Sequence, residues 1–94
     1  MTEVRWALLA RADLARIDEY YRAIDHAIAD RIGHRLFAAT DFLADLPFAG
    51  PVAAHGDRRK WSVAKTPYVV LYRVAETHIR VLRVLHAAED QRVK

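Results

Sequence analysis

The sequence predicts an α+β fold in the order β-α-α-β-β-β, with a helical hairpin packed on one face of an antiparallel sheet. Three observations predict it. Apolar residues recur every three or four positions through the first half, the period of a helix with one buried face. Through the second half they alternate or run together, as strands do. Between the halves, Pro47, Gly50, Pro51 and Gly56 interrupt any continuous element.

The first strand is placed at 3–7, where Val4-Arg5-Trp6-Ala7-Leu8 alternates weakly and carries β-prone residues. A helix over 8–23 follows, with Leu14, Ile17, Tyr21, Ile24 and Ile28 marking its apolar stripe. Asp13 lies near its start, where the positive end of the helix dipole favours an acid. Asp25 is placed as the N-cap of a second helix over 26–46. Ile32, Leu36, Ala39, Leu43 and Leu46 form its stripe, which Phe37 and Phe42 widen. Gly33 either weakens this helix by about 1 kcal/mol relative to alanine or permits close packing against the first. Pro47 ends it. Three strands follow, at 59–65, 67–75 and 78–86, with Ala75-Glu76-Thr77-His78 as a hairpin connection. The helices cover one face of the sheet. The other face of Tyr68–Val74 must meet solvent, a second copy or another protein.

Ninety-four residues make a single domain, 1–94, with 53% apolar and 29% charged residues. That is too short for a dinucleotide-binding fold or a barrel enzyme. Cysteine is absent, which excludes a disulfide framework, a thiolate zinc site and a cysteine nucleophile, and fits a reducing cytoplasm. The N-terminal residues lack the apolar core of a signal peptide, and no apolar run approaches a membrane span. No membrane partner is expected. The net charge of +3 is unevenly placed: residues 1–54 hold six arginines against eight acids, and residues 55–94 hold nine Lys or Arg against four acids. A basic second half points to an acidic partner, either nucleic acid or an acidic protein segment.

The ordered motifs resemble the RelE/ParE superfamily of toxins from bacterial type II toxin–antitoxin modules. They are Ala12-Asp13-Leu14 with Ile17 and Tyr20, then Leu43, Leu46-Pro47 and Gly50, then Arg59. Pro67-Tyr68-Val69-Val70-Leu71-Tyr72-Arg73-Val74 is similar to a strand of the pattern PYxxxYRV. Ile79, Val81-Leu82-Arg83-Val84-Leu85-His86 and Asp90 are similar to the family's closing run. Three departures stand out. Trp6-Ala7-Leu8 replaces the family's Trp-Ser-Pro, so the first helix should be less sharply capped. Glu89 stands where the family carries arginine before the final acid, and no tyrosine follows Tyr72.

The resemblance implies one of two activities. One branch cuts ribosome-bound messenger RNA without a metal, using cations to stabilise phosphate charge and a further side chain to move protons. The candidates here are Lys60, Lys65, Arg73, Arg83 and His86. In a regular strand Arg83 shares a face with Ile79, Val81 and Leu85, whereas His86 lies opposite with Arg80, Leu82 and Val84, which counts against a joint site. The other branch inhibits DNA gyrase and blocks replication. The missing C-terminal tyrosine favours this ParE-like branch. A protein-binding adaptor of the same fold is the remaining alternative. No metal or cofactor is expected; His26 and His34, eight apart, show no ligand spacing. Trp6 and Trp61 are expected in the core. The resemblance also implies a cognate antitoxin. An acidic, amphipathic segment would set carboxylates on Arg73, Arg80 and Arg83 and apolar residues on Val69 and Leu71.

Overall fold

The computed structural model describes residues 2–53 and 56–92. Strand β1 (Glu3–Trp6) leads into helix α1 (Leu8–Arg22), which turns into α2 (His26–Asp45). Strands β2 (Arg58–Ser62), β3 (Tyr68–Val74) and β4 (His78–His86) follow, and a short helix α3 (Ala87–Arg92) closes the described part. Predicted and observed bounds of both long helices differ by a residue or so. As expected from Ala7, no side chain caps α1. Asp25 caps α2, its carboxylate accepting from Ala27 N at 2.8 Å.

The strands form one sheet in the order β1-β4-β3-β2. It is mixed, which corrects the expected antiparallel sheet: β1 pairs with β4 in parallel, while β2–β3 and β3–β4 are antiparallel. The chain path sets this direction. After α2 the chain descends beside β2 before reversing into it. Lys60 N donates to Pro51 O, Ala53 N donates to Arg58 O, and Val52 bridges Arg59. β2 therefore starts from the end where β1 started. β2 and β3 are shorter than expected, because residues 63–67 form a turn. Thr66 binds Val63 O through both its amide and its hydroxyl, and Lys65 there takes a positive φ of 60°.

The core lies between the helix pair and one sheet face. Val70, Tyr72, Ile79, Val81 and Val84 meet Ala10, Ile17, Leu36 and Leu43. Trp6 tilts against Phe37 and Trp61 stacks on Phe42, both at the margin of this core. Ile24 and Leu46, expected in the helix stripes, are exposed. An alanine methyl at Gly33 would meet no atom within 4 Å, so this glycine permits no close approach. It lines an apolar cavity of about 250 Å³ between α1 and α2.

Strand β4 does not alternate regularly. The register slips between Leu71 and Tyr72, where Leu71 faces Arg83 and Tyr72 faces Val81. A bulge adds one residue to one strand and reverses the alternation beyond it. Ile79 and Val81 are in the core, and so is Val84 rather than Leu85. The bulge therefore takes Arg83 off the face of Ile79 and Val81, while Arg83 and His86, both beyond it, stay on opposite faces as expected.

Candidate functional site

Two polar clusters on the helix side hold the fold together, and both contain family-signature residues. The first is centred on Asp13, 1% exposed. β1 pairs with β4 only as far as Val81, so beyond it β4 has a free edge. Asp13 closes that edge. Its Oδ2 accepts from Val84 N at 2.9 Å and from Arg83 Nε at 2.8 Å. Its Oδ1 accepts from Arg83 Nη2 at 3.0 Å and Arg16 Nη2 at 3.1 Å. Burial works against the charge of Asp13, but Arg83, the Val84 amide and Arg16 outweigh it and hold the carboxyl below the ordinary aspartate range. The expectation that Asp13 serves the helix dipole missed this role, since sequence spacing does not reveal a partner 70 residues away.

The second cluster ties the 47–50 turn to the sheet. The buried Tyr72 hydroxyl donates to Pro47 O at 2.7 Å and accepts from Gly50 N at 3.0 Å. Arg59 donates to Gly50 O at 2.7 Å and lies over the Phe48 ring. A Cβ on Gly50 would lie 2.5 Å from Lys60 O and 2.6 Å from the Tyr72 hydroxyl, so only glycine fits.

Each of the five nuclease candidates has a different position. Arg83 is held by Asp13. Lys60 pairs with Asp90 of α3 at 3.2 Å, both mostly buried. Lys65 sits exposed in the 63–67 turn. Arg73 stands on the sheet face away from the helices. His86 starts α3: its Nδ1 accepts from Ala88 N at 3.1 Å, while Glu89 accepts from His86 N at 3.1 Å. This reciprocal pair is a capping box with histidine in place of serine. A neutral His86 therefore carries its proton on Nε2, a tautomer assigned from that contact. His86 also lines a cleft of about 420 Å³ with Arg16, Tyr20, Tyr21, Tyr68 and Glu89. Burial raises the Tyr68 hydroxyl pKa well above that of free tyrosine, and its contact with Tyr21 adds to the shift. Among the described residues no three His, Asp or Glu side chains group to hold a metal ion, and no helix is long and apolar enough to cross a membrane.

The outer sheet face carries the least expected arrangement. Arg5 is the register partner of Arg80, Arg80 of Arg73, and Arg73 of Arg58. One arginine from every strand thus stands in a single row across the sheet. Val4, Trp6, Tyr72 and Ile79 neighbour the row along the strands and point the other way, toward the core. Arg5 pairs with Glu3 on its own strand at 3.1 Å. Among the described residues Arg58, Arg73 and Arg80 make no ion pair. At the other end of this face α3 packs on β3 and β4, and Val69 and Leu85 are buried there. Of the residues expected to meet an antitoxin, Arg73 and Arg80 are accessible beside a half-buried Leu71, whereas Val69 is covered and Arg83 is engaged. Arg5 and Arg58 were not foreseen, because their alignment exists only once the register is known.

This sheet-and-hairpin scaffold is that of a toxin domain from type II toxin–antitoxin modules. The family model described as the ParE toxin of the type II toxin–antitoxin system parDE matches residues 4–91, and the chain belongs to that family. It is similar to Toxin RelE2 of Caulobacter vibrioides, at 36% identity over 88 residues covering 94% of this chain and 98% of the relative. It is also similar to Putative toxin Y4kP of Sinorhizobium fredii, at 32% identity over 87 residues covering 93% and 90%. Among solved structures, a chain from the chromosomal ParDE system of P. aeruginosa shares the fold, with a TM-score of 0.79 at 20% identity over 92% of this chain and 96% of that one.

Proposed function

We propose that this toxin acts in the ParE manner, inhibiting DNA gyrase and so blocking replication, and that a cognate antitoxin holds it inactive. The supporting observation is that three of the five nuclease candidates are engaged within the fold. Metal-free RNA cleavage needs cations and a proton-transfer group around one phosphate. Here Arg83 serves Asp13, Lys60 serves Asp90 and His86 caps α3, while Lys65 is exposed in the 63–67 turn and Arg73 belongs to the arginine row. Inhibition by binding needs no such constellation. The antitoxin would set carboxylates on Arg73 and Arg80 beside Leu71, folding its tail as it binds.

Pulse-labelling of DNA and protein synthesis after induction tests the target, beside a supercoiling assay with purified gyrase. DNA synthesis should stop first and gyrase should be inhibited. If translation stops first, with messenger RNA cut at ribosomal A sites, the ribonuclease reading replaces this one. Absence of growth arrest together with failure to bind any antitoxin encoded beside it would leave the adaptor reading.

A further inference from the structure

Neighbouring strands lie about 4.8 Å apart, so the row places four guanidinium groups along roughly 14 Å. Like charges directly opposite one another destabilise a sheet. Among the described residues one carboxylate, Glu3, pairs with any of the four arginines. The helix side shows the contrary habit, since Asp13 there collects Arg83 and Arg16. The row is thus left with several charges in line that the described fold does not neutralise.

The remaining surface separates two classes of polyanion. Protein partners anchor on large apolar side chains. Among the described residues every large exposed apolar side chain belongs to α1, α2, the turn between them or residues 46–52, and none to the outer sheet face. The row offers charge with little apolar anchorage. That suits a ligand bound chiefly through phosphates.

We propose that the Arg5–Arg80–Arg73–Arg58 row binds the phosphodiester backbone of a nucleic acid. The proposal rests on the toxin reading in one respect: an antitoxin whose carboxylates reach Arg73 and Arg80 takes the place of the phosphates, so the two exclude one another.

Fluorescence anisotropy of the purified chain tests it, with a labelled 20-base-pair DNA duplex, a single-stranded RNA of equal length, and labelled poly-glutamate. Three or four neutralised phosphates predict that log K falls with log salt at a slope of about −2.7 to −3.6 for the duplex, or roughly −2.1 to −2.8 for the single strand. The stronger of the two assigns the row to DNA or RNA. Reversal in R73E/R80E should weaken binding at least tenfold at 50 mM salt. R11E/R31E, which changes net charge equally on exposed helix positions, should weaken it far less. R73Q/R80Q repeats the test if thermal unfolding shows the reversed variant misfolded. Equal losses in the row and helix variants would overturn the proposal, as would binding of poly-glutamate without either nucleic acid. Growth arrest on expression is scored separately, so a toxic chain that binds no nucleic acid sinks the row and leaves the toxin reading intact.

Discussion

The two faces of the sheet handle charge in opposite ways. On the helix side, each buried polar group has partners within the fold: Asp13 has three donor residues, and the Tyr72 hydroxyl both donates and accepts. On the outer face, three arginines stand together without a carboxylate among the described residues. The helix side is satisfied because water cannot reach it, and an unpaired buried group costs its full desolvation. The outer face tolerates unpaired charge because solvent screens it. The first arrangement builds the fold, and the second leaves free energy for a ligand to release.

Four substitutions sharpen that contrast, from the largest expected effect to the smallest. Gly50→Ala should destabilise by about 3 kcal/mol or more, because its methyl meets a carbonyl and the Tyr72 hydroxyl at impossible distances. Chemical denaturation would show a lower midpoint at unchanged slope. Asp13→Asn leaves Arg83 without its carboxylate and should cost about 3 kcal/mol. Its cost depends on pH. The folded state depresses the Asp13 pKa, so the stabilisation is full above the ordinary aspartate pKa of about 4 and fades as pH falls through the lower folded value. Melting curves of the two proteins should therefore converge toward acid; a gap constant from pH 7 to pH 2 would contradict the ion-pair account.

Tyr72→Phe keeps the ring and removes the hydroxyl, stranding the Gly50 amide and Pro47 carbonyl for a loss of about 1–3 kcal/mol. Arg73→Thr goes the other way. It removes a like charge from between Arg58 and Arg80 and adds a β-branched residue, so stability should rise by about 0.5 kcal/mol. A stabilised variant that has lost ligand affinity would separate the roles of the two faces. A destabilised one would show that the row supports the fold.

Local pattern and long-range arrangement were legible to different degrees. The Asp25 cap, the strand cores and the middles of the helix stripes follow from neighbours in sequence, and the structure keeps them, whereas Ile24, Phe37, Phe42 and Leu46 are exposed. The parallel β1–β4 pairing does not, because partners distant in sequence are set by the path of the 46–57 connection. The bulge was equally hidden: one added residue moves Val84 rather than Leu85 into the core. α3 went unread, although His86 and Glu89 at capping-box spacing announce it. Half the arginine row was accessible, since Arg73 and Arg80 are equidistant from the 75–78 connection and pair in a tight hairpin. Arg5 and Arg58 join them only through the full sheet order.

The position of β4 has a consequence for biosynthesis. Although it is the last of the four described strands along the chain, it lies inside the sheet, between β1 and β3. It carries Ile79, Val81 and Val84 of the core and the Arg83 that answers Asp13. A nascent chain stopped before residue 78 has its first strand without a neighbour and its buried acid without a counter-ion. Contacts this distant in sequence form late and together. A chain stopped there keeps only the β2–β3 pairing, so the four-stranded sheet assembles only once β4 has been made.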